Sequence, residues 1–241
     1  MSNALLEAEG LVRRFGGVHA VDHVSFTLTK GERVALIGPN GAGKSTLFSL
    51  LGGQGRPDAG ALYFAGGTIT GLSPQQRLER GIARSFQTAA VFGSMTPREG
   101  LRTVLRKDPS QDPEQQLRSL FEECGLAHLA DPAHRAPARD LAYGDVKRLE
   151  LAMALASRPR LLLLDEPTAG CAPAERRAMM AAVDRAAAQS GLTVLFTEHD
   201  MDVVFGHAQR ILVLDRGRLI ADGTPQAVRA DPQVKAIYLG G

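Results

Sequence analysis

The sequence of 241 residues predicts an α/β fold with a mostly parallel sheet, an antiparallel β part and an inserted helical part. The parallel sheet is predicted because short apolar runs alternate with helical stretches. One run, Leu161–Asp165, is apolar up to its final acid, which is typical of a strand buried on both faces. From about Thr88 to Pro159 strand signals stop and helix starts recur, which predicts the helical insertion.

Local signals predict the elements before the insertion. Alternation in Val24–Leu28 indicates a half-buried strand, and Gly60–Phe64 indicates another. Ser73, followed by Pro and then by Gln at the third helical position, predicts a helix with a capping box that ends at Gly81. The next segment, Ile82–Phe86, is predicted as a strand.

Two helix-capping signals mark where the predicted helices of the insertion begin. Thr96 opens a capping box with Pro at the first helical position, and Asp112 begins a second helix that stops at Gly125. Three basic residues would share one face of the first helix, namely Arg98, Arg102 and Arg106. We interpret them as a solvated surface, with contact to a partner or to lipid headgroups as the alternative.

Helices and strands alternate again after the insertion. An alanine-rich helix should run to about Ser190, and Thr193–Thr197 should be the next buried strand. A hairpin from Arg210 to Asp222 turns at Asp215–Gly217, and a short helix begins at Thr224.

The composition narrows the class of protein. The chain is 44% hydrophobic and 22% charged, an ordinary globular balance, and its net charge of +2 indicates no nucleic-acid partner. Two cysteines, Cys124 and Cys171, lack metal-site spacing and fit a reducing compartment. Because neither a signal pattern nor a membrane-spanning apolar run is present, we expect a cytoplasmic protein that acts at a membrane only through a partner.

Residues 38–46 carry the motif around which the chain is organised. They read Gly38, Pro39, Asn40, Gly41, Ala42, Gly43, Lys44, Ser45 and Thr46, and they fit G-x-x-x-x-G-K-[ST]. A strand, Val34–Ile37, precedes this phosphate loop, and a helix follows it. Glycines let backbone N–H groups surround an anion, and the helix start adds further donors. We therefore expect Lys44 to reach the β- and γ-phosphates of a nucleotide and Ser45 to ligate Mg²⁺.

Polar residues follow the predicted strands where ligands bind in open α/β sheets. Asp165 would hold Mg²⁺ through water, and Glu166 would polarise the attacking water. His199, after the next strand, would donate to the γ-phosphate. Gln87, before the insertion, would touch Mg²⁺ or the water. Taken alone, each is more often an ordinary loop, packed or surface residue; beside the phosphate loop they predict phosphoryl transfer.

A second anion-binding helix start is predicted at Leu141–Asp145, ahead of a helix from Val146 to about Ser157. A nucleotide bound to one chain needs only one such helix start from that chain to bind its phosphates. In a head-to-tail dimer, however, each chain's second terminus could close on the γ-phosphate bound to the other chain.

In this order the motifs closely resemble those of ABC-transporter ATPase subunits. The matching segments are Gly38–Ser45 (Walker A), Gln87 (Q-loop), Leu141–Asp145 (signature), Leu161–Asp165 (Walker B), Glu166 (catalytic glutamate), Ala169–Pro173 (D-loop) and His199 (switch histidine). Phe15 lies where the family places an aromatic ring against adenine, with a core phenylalanine as the alternative. The resemblance implies ATP hydrolysis with Mg²⁺ on a P-loop NTPase core. It also implies one domain over residues 1–241, with core and β subdomain in 1–87 and 160–241 and a helical subdomain in 88–159.

Finer similarity points to a subfamily. Phe15–Val21, Ala83–Gln87 and Ile237–Gly240 resemble the branched-chain amino-acid importers, with urea and short-chain amide importers sharing these features. This implies two ATPases beneath two membrane permeases on the inner face of the cell membrane, served by a solute-binding protein. A groove beside Gln87, including Ala89–Phe92, would receive a permease helix.

Two departures from the family pattern bear on the dimer. Ala142 replaces the signature serine, so only the Gly144 backbone and the helix dipole remain to hold the γ-phosphate across the dimer. The D-loop also lacks the Asp or Asn often found there. We therefore expect a heterodimer with unequal sites, with a homodimer as the alternative.

Other functions remain open on sequence alone. A soluble scaffold ATPase, for instance of iron–sulfur cluster assembly, carries the same motifs, and a weakly hydrolysing regulatory half would fit Ala142. A GTPase is disfavoured because no Asn-Lys-x-Asp segment is present. The transported solute is not encoded in this chain, since permeases and binding protein would select it.

Overall fold

The computed structural model describes residues 4–85, 91–106 and 112–239. The strands are β1 (Ala4–Phe15), β2 (Val18–Thr29), β3 (Arg33–Ile37), β4 (Ala59–Phe64), β5 (Gly67–Thr68), β6 (Ile82–Arg84), β7 (Leu161–Asp165), β8 (Thr193–Thr197), β9 (Arg210–Asp215) and β10 (Arg218–Gly223). The helices are α1 (Lys44–Gly52), α2 (Pro74–Glu79), α3 (Pro97–Val104), α4 (Pro113–Glu123), α5 (Tyr143–Ala156), α6 (Pro173–Ser190), α7 (Met201–His207), α8 (Pro225–Ala230) and α9 (Pro232–Leu239). Short 3-10 turns occupy Ala127–Leu129 and Ala138–Asp140.

A six-stranded sheet forms the centre, in the order β10-β9-β3-β8-β7-β6. Its strands pair in parallel except for the antiparallel β9–β10 hairpin at one edge. Alternate residues of β3 enter different cores, Val34 and Leu36 on one face and Ala35 and Ile37 on the other. Burial on both faces explains why these strands are apolar without alternation, and the predicted α/β fold is confirmed.

A four-stranded antiparallel sheet, β2-β1-β4-β5, covers one face of this arrangement together with α1. Leu6, Leu28 and Leu62 from the small sheet share a core with Phe48 of α1 and Leu163 of β7. The helix that follows the phosphate loop is therefore buried between two sheets. Its position is set by packing on both sides.

Helices α3, α4, α5 and α6 cover the other face and share the second core. The predicted capping box at Thr96 is present. The Thr96 hydroxyl accepts a hydrogen bond from the Glu99 N–H, and the Glu99 carboxylate accepts one from the Thr96 N–H. The interpretation of the basic stripe as a solvated surface was wrong for Arg98, whose Nη1 donates to Ala130 O at 2.8 Å and whose side chain also pairs with Glu114. Arg106 lies beyond the end of α3. The predicted end of the strand at Phe86 falls outside the described residues.

Arg77 of α2 is an internal anchor for α1. It is 1% exposed, and within the described residues its side chain donates to five backbone carbonyls, among them those of Leu50 and Leu51 in the last turn of α1 and that of Ile69. Burial lowers the pKa of Arg77 to about 10, so the side chain stays charged at neutral pH. A cation at the carboxyl end of a helix is favoured by the helix dipole. Arg77 therefore fixes the far end of the helix whose near end is the phosphate loop.

We predict that Arg77→Met lowers the free energy of unfolding by about 1–3 kcal/mol, because buried carbonyls of α1 lose their donors. Arg77→Lys should recover only part of this loss, since one ammonium cannot reach both sides of the cluster. Urea unfolding followed by circular dichroism measures the effect. Arg80→Met is the matched control, because Arg80 is exposed on the same helix end, and it should change stability by less than about 0.5 kcal/mol. Equal stability of the Arg77→Met and Arg80→Met proteins would contradict the anchor.

Candidate active site

Three neighbouring strands end at one edge of the central sheet. Strand β8 lies between β3 and β7, and all three run in parallel. The phosphate loop leaves the end of β3, while Asp165 ends β7 and pairs in register with Thr197 at the end of β8. Because parallel strands present their carboxyl ends on the same side, the loop and the acids after β7 meet at this edge.

Close contacts on the backbone fix the phosphate loop in place. A Cβ atom on Gly43 would lie 2.1 Å from the carbonyl oxygen of Ala20 in β2, and one on Gly38 would lie 2.2 Å from that of Leu214 in β9. Gly43 also has a φ of 105°, in the region that favours glycine. Glycine is therefore required at both positions, where the loop passes between elements of the two sheets.

The start of α1 is suited to an anion. Its N-cap, Gly43, has no side-chain cap, and no acidic residue lies in the first turn, which contains Ser45 and Thr46. Lys44 is 8% exposed, and its ammonium donates to the carbonyls of Gly38 at 2.7 Å and Pro39 at 3.1 Å. Burial lowers the pKa of Lys44, while the negative charges of Glu166 and Asp165 oppose that shift. Backbone donors, a helix dipole and an ammonium thus converge on one place.

Asp165 is held rigidly. The residue is 2% exposed; its Oδ1 accepts a hydrogen bond from the Thr197 hydroxyl at 2.8 Å, and its Oδ2 accepts one from Arg84 Nη2 at 3.1 Å. A buried carboxylate needs such partners to stay charged. The result is a carboxylate held in one orientation at the end of β7.

Glu166 and His199 are brought together as the sequence predicted. The Glu166 carboxylate lies 2.9 Å from His199 Nε2, and both side chains are partly exposed. Glu166 has a φ of 50°, an uncommon value for a residue with a side chain. Its N–H donates to both the carbonyl and the hydroxyl of Thr197, at 3.2 Å and 3.0 Å. The backbone of β8 therefore stabilises the bend that separates Glu166 from Asp165.

Sequence reasoning missed two supporting residues. Thr197 is fully buried and contacts Asp165 and the backbone of Glu166. Glu198 is 6% exposed, and its Oε1 accepts from the N–H and hydroxyl of Thr168 at 2.8 Å and 2.7 Å. Their positions at the end of a buried strand could have predicted this role, because buried polar side chains need hydrogen-bond partners.

Phe15 ends β1 at a hairpin, and its side chain is among the exposed large hydrophobic residues, at 55%. It is therefore not a core phenylalanine. The guanidinium of Arg13 lies over the ring, with Cζ 4.8 Å from the centroid, and Arg13 Nη1 also pairs with Asp58 at 2.9 Å. The hairpin continues through Ala20, which contacts Gly43, so the ring stands on the strand pair that borders the phosphate loop.

The segment 141–145 lies elsewhere. Ala142 is the N-cap of α5 and has no side-chain cap, and Gly144 is packed so closely that a Cβ would lie 2.6 Å from Glu175 Oε1. The Tyr143 hydroxyl donates to the carbonyl of Ala169 at 3.1 Å. These contacts are with α6 and the loop before it. Among the described residues, no hydrogen bond joins this segment to the phosphate loop.

Gln87, predicted at the same site, lies outside the described residues. Within the described part of the chain, no group of three or more His, Cys, Asp or Glu side chains could hold a metal ion by itself. No helix in that part is both long and apolar enough to cross a membrane.

Comparisons with known proteins agree with this geometry. Residues 21–169 match the family model for ABC transporters, and residues 218–241 match that for branched-chain amino acid ATP-binding cassette transporters. The branched-chain amino acid transport ATP-binding protein BraF of Pseudomonas aeruginosa is 36% identical, with 100% of this chain and 99% of that protein covered. LivG of Escherichia coli strain K12, described by the same function, is 37% identical with the same coverage.

Relatives with another role exist at similar identity. The lipopolysaccharide export ATP-binding protein LptB of Haemophilus influenzae is 36% identical, and 98% of each chain is covered. Among solved structures, the ADP conformation of the ATP-binding cassette MJ1267 has a TM-score of 0.85 and 31% identity, with 100% of each chain covered. A nucleotide-free ATP-binding cassette has a TM-score of 0.84 and 31% identity, with 99% of this chain covered. The family match over more than half of the chain and the full-length relatives lead to one conclusion: the chain belongs to the ATP-binding, ATP-hydrolysing subunits of ABC transporters.

Proposed function

We propose that this chain is the ATP-driven motor of an importer for branched-chain amino acids or a related small polar solute. The observation that carries the proposal is the meeting of the phosphate loop, Asp165 and the Glu166–His199 pair at one sheet edge. The importer and its solute class are supported by the names of BraF and LivG and by the match of residues 218–241. LptB, an export protein, lies at similar identity, so overall identity alone does not select the solute.

In the proposed mechanism the phosphate loop holds the nucleotide. The uncapped N–H groups at the start of α1 bind the phosphate oxygens, and Lys44 exchanges the carbonyls of Gly38 and Pro39 for β- and γ-phosphate oxygens. That exchange is favourable because a charged acceptor binds an ammonium more strongly than a carbonyl does. Phe15 presents its exposed face to the adenine ring.

The residues at the sheet edge fit Mg²⁺. Ser45 and the rigidly held Asp165 offer only oxygen ligands, which this ion prefers, and the phosphates and waters would supply the others. Gln87 is proposed as a further contact. Bound there, Mg²⁺ would neutralise charge on the transferring phosphoryl group.

Glu166 is proposed to orient the attacking water and take up its proton, while His199 donates a hydrogen bond to the γ-phosphate. The 2.9 Å contact between the two side chains supports a shared role, since each fixes the other's orientation. Thr197 acts behind them by holding the backbone of Glu166.

We propose that the complete site needs a second ATPase subunit. Ala142 and Gly144 belong to a second helix start, packed against α6, that would close on the nucleotide of its partner. Because Ala142 lacks a hydroxyl, a heterodimer in which the partner carries the stronger signature is favoured over a homodimer.

The permeases are proposed to dock on a groove beside β6. A cavity of about 330 Å³ is lined by apolar atoms of Leu78, Ala83, Val104, Met153 and others, and Phe92 nearby is 40% exposed. ABC importer ATPases work with membrane permeases. In this assembly the chain would lie on the inner face of the membrane, residues 88–159 would act as the helical subdomain of a single domain, and a solute-binding protein would deliver cargo.

Replacing Glu166 by Gln tests the proposed catalysis. ATP turnover should fall by at least about a hundredfold, because the amide cannot accept the proton, while binding of ATP persists. Radiolabelled ATP hydrolysis and equilibrium binding are measured in parallel. Glu79→Gln, on the exposed face of α2, is the matched control and should keep full activity. Turnover that survives in the Glu166→Gln protein would contradict the assignment.

Replacing Phe15 tests the adenine contact. Phe15→Ala should weaken ATP binding by about five- to 150-fold, since stacking on an aromatic ring is worth about 1–3 kcal/mol per base. Phe15→Tyr, which keeps a ring, should bind normally. The measurement is titration with a fluorescent ATP analogue. Val18→Ala serves as the control, because Val18 is an exposed neighbour in the same hairpin; an equal loss in that variant would show that the ring has no special role.

Restoring the serine at position 142 tests the proposed asymmetry. In the Glu166→Gln background, Ala142→Ser should strengthen ATP-dependent self-association by about a hundredfold or more, because one charge-assisted hydrogen bond is regained at each of the two sites of the homodimer. Size-exclusion chromatography with and without ATP reports the association. If the Glu166→Gln protein already forms a stable ATP-dependent homodimer without the serine, an obligatory partner is disproved.

A further inference from the structure

The side chain of Arg84 spans the distance between the proposed permease groove and the acid at the end of β7. Arg84 ends β6, and it lines the groove together with Leu78, Ala83 and Met153. Its guanidinium reaches inward, where Nη2 donates to Asp165 Oδ2 at 3.1 Å and Nη1 donates to Gln54 Oε1 at 2.9 Å. One residue therefore contacts both the surface where a partner would bind and the carboxylate proposed to hold Mg²⁺.

Residues of α1 pack against one side of the Arg84 side chain. A Cβ on Gly52, at the end of α1, would lie 3.1 Å from Arg84 Cδ, and the guanidinium lies over the ring of Phe48, with Cζ 5.9 Å from the centroid. Helix α1 thus blocks movement in one direction. Because Arg84 lines the groove, a partner that fills it contacts this side chain, and its effect passes to the guanidinium.

The present arrangement of Arg84 is not fully satisfied. Its Nε is buried and has no hydrogen-bond partner within the described residues. An unpaired buried donor is unfavourable, which lowers the free-energy difference between this arrangement of Arg84 and another one. Within the described residues, the guanidinium donates hydrogen bonds only to Asp165 and Gln54, and a second position of the side chain is therefore close in free energy.

We propose that Arg84 links the permease groove to the metal site by competing with Mg²⁺ for Asp165. The inference rests on the proposed function, because it assumes that Asp165 holds the ion. A guanidinium 3.1 Å from Oδ2 neutralises the carboxylate and repels a divalent cation. Pressure in the groove that moves the guanidinium away from Asp165 raises affinity for Mg²⁺, so occupancy of the groove and of the metal site are coupled.

The test follows the Mg²⁺ concentration that gives half-maximal tightening of a fluorescent ATP analogue. Arg84→Gln should lower this midpoint by about three- to tenfold, because the competing charge is gone. Arg84→Lys keeps the charge but loses the planar fork, and its midpoint should stay within about twofold of the parent. Arg80→Gln removes an exposed guanidinium from the end of α2 and should leave the midpoint unchanged.

Coupling to the groove needs a second measurement. Ala154→Cys places a thiol in the groove lining, and modification with a bulky maleimide imitates an occupant. The modification should lower the Mg²⁺ midpoint when Arg84 is present and leave it unchanged in the Arg84→Gln background. Both native cysteines are buried, and modified Thr68→Cys is the control, because Thr68 is exposed on β5 and does not line the groove. The parent arm of this measurement keeps Arg84 in place, so an unchanged Mg²⁺ midpoint in the modified Ala154→Cys protein overturns the coupling even if Arg84→Gln fails to fold.

The outcomes separate this inference from the function on which it rests. A parent protein that does not bind the ATP analogue, or binds it without any effect of Mg²⁺, would overturn the proposed site. A parent with a normal Mg²⁺ midpoint, together with equal midpoints for Arg84→Gln and Arg80→Gln, would overturn the competition alone. A modified groove that shifts the midpoint equally in both backgrounds would overturn the role of Arg84 in the coupling.

Discussion

The arrangement of the site depends on the fixed position of α1. At its start, the bare backbones of Gly38 and Gly43 let the phosphate loop pass within contact distance of β9 and β2. At its end, the buried guanidinium of Arg77 binds the last carbonyls. Between these ends, Phe48 packs into the core shared by the two sheets. A helix fixed along its whole length can direct backbone N–H groups at an anion without paying the entropy of ordering them on binding.

Much of this could be predicted because the relevant signals are local. Strands β7 and β8 have the bounds that the sequence gives, since burial on both faces requires apolar runs with polar ends. The cap at Thr96 is visible in four consecutive residues. Glu166 and His199 were assigned to one nucleotide site because each follows a predicted strand, and the parallel pairing of those two strands brings them together at one edge.

The remainder depends on contacts that no local pattern encodes. Arg84 and Asp165 are separated by 81 positions in the chain, and only the pairing of β6 with β7 brings them together. Arg98 reads as one of three surface cations, yet a carbonyl 32 positions away binds it. Periodicity predicts the face on which a residue lies but not which partner reaches that face. Buried polar side chains are thus where sequence reasoning is weakest, although their need for partners is certain.

A contact between distant segments also bears on the proposed dimer. It joins the two places where the chain departs from the family pattern, Ala142 and the loop 169–172. Tyr143 stands in the segment that carries Ala142, and its hydroxyl is bonded to Ala169 in the loop before α6. A Cβ on Gly170, whose φ is 77°, would lie 3.3 Å from the Tyr143 ring. The two segments are therefore packed as one surface, and a change in one constrains the other. If this surface closes on a partner's nucleotide, the missing hydroxyl at position 142 and the altered loop at 169–172 both affect the nucleotide site of the partner subunit. Asymmetry between the two sites would then arise from one rigid contact surface rather than from two independent losses.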